Sequence, residues 1–159
     1  MVISTLDRVT SVLFDLDGTL VDSAPGITQC LSETIRAFGG PAVTAASLVP
    51  FVGPPVVDTI RSFTDLPSSR LHEAVEHYRA RYLERGIVQS AVFPGIPALL
   101  GMLQELRIPI AVATSKRSSH ARAILRHHRL DGAFAAVCGA AEDDSAADKP
   151  TVIRAALSD

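Results

Sequence analysis

Two aspartates one residue apart constrain this chain more than any other feature. Asp15 and Asp17 follow an apolar run, 9–14, which predicts a buried strand that ends just before a glycine turn at Gly18. Like charges repel, and burial makes that repulsion more costly. Because a fold keeps such a pair where a cation or a proton-transfer task needs it, we expect chemistry at the end of this strand.

Composition excludes several classes of function. The 159 residues suffice for one domain of ordinary size, or for a core with a modest insertion. A net charge of −2 gives no general attraction to nucleic acid or to an anionic membrane. No segment approaches the roughly 18 apolar residues of a membrane span, and the N-terminus has no signal-peptide pattern. Two cysteines far apart, Cys30 and Cys138, favour reduced thiols and a cytoplasmic location.

Three short apolar runs predict buried parallel strands, at Ser11–Leu16, Pro109–Thr114 and Ala135–Gly139. Helical patterns at 95–106 and 118–129 precede and follow the second of these strands. Alternation of strands and helices at these lengths is typical of parallel sheets. We therefore predict an α/β fold with a Rossmann-like parallel-sheet core.

Residues 23–92 have a different pattern, with helices and no convincing strand. Four helices are predicted there, at Ile27–Phe38, Thr44–Val49, Pro55–Phe63 and Ser68–Arg85. An all-helical block between two strands of an α/β core indicates an inserted cap. The predicted organisation is thus a discontinuous core, 1–22 plus 93–159, and a helical cap, 23–92, with turn-rich junctions between them.

Polar groups converge where the predicted strands end. Open α/β sheets bind ligands beyond the carboxyl ends of their strands. The first strand ends in the two aspartates, the second in Thr114, Ser115 and Lys116, and a loop after the third leads to Lys149. One carboxylate can attack phosphorus while another transfers protons. Hydroxyl and ammonium groups can hold phosphoryl oxygens, and Mg²⁺ can bridge those oxygens to the carboxylates.

Each of these residues alone has a plainer interpretation. A strand-end aspartate before a glycine often caps a turn. Thr114 and Ser115 alone would more often cap a helix, and Lys149 alone would be a solvated lysine. Their order, at the ends of successive strands, favours a shared site for phosphoryl chemistry.

The motifs resemble those of a known family. The run Phe14–Ser23 is similar to the first motif of the haloacid dehalogenase superfamily of phosphatases, Val112–Lys116 to the second and Asp148–Pro150 to the third. The resemblance implies that Asp15 is the nucleophile and a Mg²⁺ ligand. It implies that Asp17 is the general acid and base, with its backbone carbonyl on the metal.

The same resemblance assigns the phosphate-binding groups. It implies that Thr114 binds the phosphoryl group and that Lys149 neutralises its charge. Ser115 and Gly18 are expected to bind phosphate beside them. An aspartate at position 17 indicates an enzyme for phosphate esters rather than one of the dehalogenases that name the superfamily, because the dehalogenases do not need this acid.

The predicted cap narrows the resemblance. Phe51–Pro55, Tyr78–Tyr82 and Val92–Pro97 are similar to the phosphoglycolate phosphatase-like branch, and within it to bacterial 5′-nucleotidase-like members. In this family the cap loop faces the active site, which implies that Gly53 and Pro54 contact the substrate. A simple helix-starting turn is the alternative for these two residues. We also expect Lys116 to contact the substrate.

Three functions follow from these residues. The first is a Mg²⁺-dependent phosphatase that hydrolyses small phosphomonoesters, of the 5′-nucleotide or phosphoglycolate type, through an aspartyl-phosphate. Some relatives of this branch are described as protein-tyrosine kinases, so phosphoryl transfer to a protein hydroxyl is the second. The third is a non-catalytic fold that binds phosphate ligands or a partner.

The family pattern extends further than this sequence. After the third motif it has a helix, a fourth strand and a Gly-Asp with a further acid, whereas only residues 150–159 follow Lys149 here. The resemblance places that fourth strand beside the first, so the first strand is expected at a sheet edge, where it invites pairing with another chain. We therefore expect weak or no Mg²⁺-dependent hydrolysis from a monomer.

Three explanations fit this length, in the order in which we rank them. The first explanation is that the sequence is a truncated or frameshifted gene product. Alternatively, a second copy completes the sheet, which predicts a homodimer through the exposed edge. The last explanation is a naturally short variant that has lost activity.

Other charged residues carry less weight. The five histidines have no i, i+4 pair, which disfavours a helical metal site. Arg122, Arg126 and Arg129 share one helix face, and we interpret them as a solvated face rather than a docking patch for acidic partners. No aromatic platform accompanies them, so nucleic-acid binding is not expected.

Overall fold

The computed structural model describes residues 9–141 and 149–158. These residues form two compact units, one made of the residues before 22 and after 91, the other of Asp22–Ala91. Among the described residues, no helix is both long enough and apolar enough to cross a membrane. The predicted strand-end residues all belong to the first unit.

Strands and α-helices alternate along the first unit, and helices dominate the second. The strands of the described chain are β1 (Val12–Phe14), β2 (Val21–Asp22), β3 (Ala91–Val92), β4 (Ile110–Arg117) and β5 (Ala136–Ala140). The α-helices are α1 (Ala24–Ala37), α2 (Ala45–Leu48), α3 (Val56–Phe63), α4 (Ser68–Arg81), α5 (Ile96–Glu105), α6 (Ser118–His127) and α7 (Lys149–Ser158).

A parallel sheet in the order β1-β4-β5 forms the centre of the first unit. Val12 pairs with Ile110, and Ala111 pairs with Ala136, so strands far apart in sequence run side by side in one direction. The predicted α/β fold with a parallel-sheet core is confirmed. Each of its strands lies within a few residues of the predicted range.

The burial of the strands follows their position in this sheet. Ile110 to Ala113 of the central strand β4 are each at most 6% exposed, as expected for an apolar run covered on both faces. The first strand is shorter than predicted, and its residues are half-buried rather than buried. The reason is that β1 has a neighbour on only one side within the described sheet, which is the edge position expected for it.

Helices α6 and α7 supply apolar side chains to this unit. Val152 and Ala156 of α7 pack against Ala111 and Ala113 of β4. The apolar residues that share one face of α6 are buried, and they are Ala121, Ile124 and Leu125. Because α7 is anchored by this packing, its first residue, Lys149, has a defined position.

All four predicted cap helices are present in the second unit, with two differences. The first helix begins at Ala24, earlier than predicted, because Pro25 needs no backbone donor in a first turn. The helix predicted at Ser68–Arg85 ends as an α-helix at Arg81 and continues as a π-helical turn, Tyr82–Gly86. The expectation of no strand in 23–92 is wrong, because β3 pairs with β2. Two-residue strands are too short to produce a periodic pattern.

Candidate active site

Asp15 lies directly after β1, where the chain turns sharply. The Leu16 carbonyl oxygen accepts hydrogen bonds from the backbone N–H groups of Thr19, Leu20 and Val21, at N–O distances of 3.3, 3.0 and 3.1 Å. Leu16 and Leu20 are fully buried and anchor the turn in the core. The two aspartates therefore lie on a loop whose backbone is fixed at several points.

Gly18 allows this turn to close. Its φ is +76°, a left-handed conformation that costs a residue with a Cβ about 1–2 kcal/mol. The Gly18 N–H donates to the Val21 carbonyl at 2.9 Å. Because that N–H is already bonded, the contribution of Gly18 to phosphate binding stays a prediction.

The second group of predicted residues lies on a bulge at the end of β4. Ala113 pairs with Cys138 and Arg117 with Ala140, so β4 advances four residues while β5 advances two. The extra length holds Thr114, Ser115 and Lys116, of which Thr114 is the last residue of the predicted strand. The structure instead counts them within β4, because pairing resumes at Arg117.

Thr114 is the buried member of this bulge. It is 2% exposed, and its Oγ1 accepts a hydrogen bond from the Lys116 backbone N–H at 3.2 Å. A hydroxyl that accepts one bond still has its own proton to donate. Ser115 is exposed. The bulge thus offers one buried and one exposed hydroxyl.

Lys149 reaches the first aspartate from α7. Its Nζ forms an ion pair with Asp15 Oδ2, and both side chains are partly exposed. The other oxygen, Oδ1, accepts a hydrogen bond from the Leu16 N–H at 2.8 Å. These two contacts orient the Asp15 carboxylate. Asp148, which precedes Lys149 in the third motif, lies outside the described residues.

Lys116 approaches the second aspartate. Its Nζ lies 3.2 Å from Asp17 Oδ1, and the two side chains are 12% and 21% exposed. That oxygen is buried and accepts no hydrogen bond from the described residues, so the contact is an ion pair without hydrogen-bond angles. A carboxylate oxygen has two lone pairs, so Asp17 Oδ1 can accept a bond from a ligand while the Lys116 ammonium lies beside it.

The donor set fits Mg²⁺ in part. Asp15 offers a carboxylate oxygen and Asp17 its backbone carbonyl oxygen, and Mg²⁺ is usually held by one or two carboxylates together with waters and substrate phosphate. No cluster of three or more His, Cys, Asp or Glu side chains occurs within 9–141 and 149–158. These two aspartates are therefore the described residues that would hold the metal.

The two predicted cap residues lie in the second unit. Gly53 and Pro54 follow a short 3₁₀ helix, Val49–Phe51, and both are exposed. Gly53 has a φ of +115°, a turn conformation. Their contact with a substrate stays a prediction.

Sequence reasoning missed two residues next to the bulge. Gly139 of β5 donates its backbone N–H to Ser118 Oγ of α6 at 3.1 Å. The glycine in a short apolar strand is a weak signal of close backbone approach. No motif indicates the serine.

Comparison with known proteins shows which family the chain belongs to. Residues 12–159 match the family described as haloacid dehalogenase-like hydrolase. The chain is 37% identical to a 5′-nucleotidase from Pseudomonas aeruginosa over 92% of its length and 66% of the relative's. It is 39% identical to tyrosine-protein kinase PtkA from Mycobacterium tuberculosis, over 92% of its length and 50% of the relative's.

Solved structures agree with these matches. The structure of a predicted phosphatase from Clostridium acetobutylicum superposes with a TM-score of 0.85 and 35% identity, over 94% of this chain and 69% of that one. The chain thus spans 50% to 69% of the length of these relatives.

Proposed function

Because the chain belongs to the haloacid dehalogenase-like hydrolase family, we propose that its site hydrolyses small phosphomonoesters through an aspartyl-phosphate on Asp15. The substrate class is the 5′-nucleotide or phosphoglycolate type. The observation that carries this proposal is that the two carboxylates have different partners. Asp15 pairs with Lys149, and Asp17 keeps a buried oxygen beside Lys116.

In the first step, an Asp15 oxygen attacks phosphorus and the ester oxygen leaves. A bond from carboxylate oxygen to phosphorus forms as the bond from phosphorus to ester oxygen breaks. Asp17, protonated, gives its proton to the leaving oxygen, so that an alcohol departs. The Lys149 ammonium holds Asp15 in place and offsets charge on the phosphoryl oxygens.

In the second step, water attacks the acyl phosphate. Asp17, now ionised, takes a proton from that water, and inorganic phosphate leaves as Asp15 is restored. In both steps the Thr114 hydroxyl donates a hydrogen bond to a phosphoryl oxygen. Its oxygen accepts the Lys116 N–H, which leaves the hydroxyl hydrogen available for this bond.

A divalent cation belongs to this proposal. Asp15 and Asp17 would hold Mg²⁺, which when bound supplies positive charge to the phosphoryl oxygens. Its charge would also offset the repulsion between the two carboxylates that the sequence places one residue apart.

A second candidate function is transfer to a protein hydroxyl. It is supported by the 39% identity to a protein named tyrosine-protein kinase PtkA. Both functions share the attack by Asp15 and differ only in the acceptor, which is water in one and a tyrosine hydroxyl in the other.

A panel of phosphate esters tests the proposal. Nucleoside 5′-monophosphates and phosphoglycolate are assayed for phosphate release with Mg²⁺ and with EDTA. Asp15→Asn is expected to abolish release, whereas Asp58→Asn, an exposed acid of α3, leaves it unchanged. Release that survives Asp15→Asn would overturn the mechanism. Phosphate release that is absent while ATP-dependent tyrosine phosphorylation occurs would favour the second candidate, and absence of both would favour a non-catalytic fold.

A further inference from the structure

The bulge with Thr114 and Lys116 has a support that no motif indicates. Ser118, the first residue of α6, follows the bulge after one residue, and its Oγ accepts the Gly139 N–H at 3.1 Å. Gly139 lies on the neighbouring strand, next to the last residue of β5. This hydrogen bond ties the far end of the bulge to the sheet.

Gly139 also sets the distance between the two backbones. A Cβ at position 139 would lie 2.3 Å from the Lys116 carbonyl oxygen and 2.9 Å from the Ser118 nitrogen, whereas ordinary contacts lie at 3.4–4 Å. Both of these neighbours are backbone atoms, so no side chain can turn aside. Any larger residue would therefore force the backbone of the bulge and that of β5 apart.

Lys116 connects that backbone contact with the site. Its N–H donates to Thr114 Oγ1 at 3.2 Å, and its Nζ lies 3.2 Å from Asp17 Oδ1. A shift of the Lys116 backbone would therefore move the buried hydroxyl and the ammonium group together. A misplacement of about 1 Å in a reacting group can cost about 10²-fold in rate.

We infer that Gly139 and Ser118 are positioning residues, which hold the bulge so that Thr114 and Lys116 meet the substrate beside Asp17. This inference rests on the proposed phosphatase function. Neither residue touches the reacting atoms. Gly139 acts through its close approach to the Lys116 carbonyl, and Ser118 acts through its hydrogen bond with Gly139.

Alanine substitution at matched glycines tests this inference. Gly139→Ala is expected to lower kcat/KM about 10- to 100-fold. Gly132→Ala is the control, because a Cβ there meets nothing within 4 Å. The two variants are compared by thermal unfolding, so that a loss of folded protein is separated from a loss of rate. Equal kcat/KM for the two variants would overturn the inference.

A double variant tests whether the losses in kcat/KM are additive, which general destabilisation would not change. Gly139→Ala is combined with Lys116→Met, and residues that act as a unit are expected to show less than additive losses. Fully additive losses would overturn the inference. Ser118→Ala is expected to lower kcat/KM as well, and Ser118→Thr, which keeps the hydroxyl, to restore most of it. This second variant serves if Gly139→Ala does not fold.

Binding of inorganic phosphate separates this inference from the proposed function. If wild-type protein shows no Asp15-dependent turnover, the proposed reaction fails. Phosphate affinity, followed by amide NMR shifts, still tests whether Gly139 and Ser118 hold the bulge in position. Gly139→Ala is then expected to weaken phosphate binding and to shift the Asp17 amide, which Gly132→Ala leaves unchanged. An unchanged affinity and an unchanged Asp17 shift would overturn the inference.

Discussion

Lys149 forms an ion pair with Asp15 although 134 positions separate them in the chain. Asp15 follows the first strand, and Lys149 begins the last helix, so the pair joins the two ends of the first unit. The contact exists because Val152 and Ala156 fix that helix against β4. Packing of one helix thus determines where the charge on the proposed nucleophile is offset.

Removal of the Lys149 charge should slow the reaction without unfolding the protein. Lys149→Met is expected to lower kcat by about 10²–10³-fold, the usual cost of losing one donor to developing charge. Lys149→Arg should recover part of the rate. Arg154→Met, on the exposed side of the same helix, is the control and should keep full activity. Phosphate-release kinetics check this prediction, and a Lys149→Met variant with normal kcat would contradict it.

The role of Asp17 can be read from the leaving group. Asp17→Asn removes the proton donor and is expected to slow hydrolysis of a nucleoside 5′-monophosphate by about 10²–10⁴-fold. The loss should be much smaller with p-nitrophenyl phosphate, because its phenolate leaves without a proton. The measurement is kcat/KM for the two substrates, because it reports the steps up to departure of the alcohol and leaves out the later attack by water, in which Asp17 acts as the base. Equal losses on both would show that Asp17 does not act as the acid.

Local packing predicts opposite effects at two glycines, Gly26 in the second unit and Gly101 in the first. A Cβ at Gly26 would lie 2.1 Å from the Gly86 carbonyl oxygen, so Gly26→Ala should lower the free energy of unfolding by about 1–3 kcal/mol. Gly101 lies inside helix α5 with open space around it, so Gly101→Ala should raise the free energy of unfolding by about 0.5–1 kcal/mol. Denaturant unfolding measures both, and a shift of the same sign would contradict the packing argument.

Cys30 should be unreactive in the folded protein. Burial, aided by the negative charge of Glu33, raises the pKa of its thiol to about 11. At pH 8 roughly a thousandth of it is ionised, and only the thiolate reacts. Labelling by iodoacetamide is expected to be slower at Cys30 than at half-buried Cys138, and to become similar at both after unfolding. Mass spectrometry of the labelled sites measures this difference.

The same thiol contributes to the pH dependence of stability. Its pKa is higher in the folded state, so its contribution is fully present below the ordinary thiol pKa of about 8.5 and is lost as pH rises to about 11. The free energy of unfolding should therefore fall more steeply over this range in the wild type than in Cys30→Ala. Parallel curves would show that Cys30 ionises equally in both states.

Much of the fold could be predicted because its patterns are local. The apolar runs and the helical stripes, such as Ala121, Ile124 and Leu125 in α6, are periodic over a few residues. Strand ends were less predictable. The β4 strand extends past Thr114 to Arg117 because of its pairing with β5, and no pattern within β4 records that pairing. The strands β2 and β3 were missed because two residues are too few to produce a periodic pattern.

The sequence by itself determined which groups carry the proposed chemistry. The aspartates at 15 and 17 follow an apolar strand and a glycine turn follows them, and each of these signals depends only on adjacent residues. Only the tertiary structure decided that Lys116 faces Asp17 and that Gly139 supports the bulge. Those contacts depend on the register between strands that are distant in sequence, and the register is set by packing of the whole sheet.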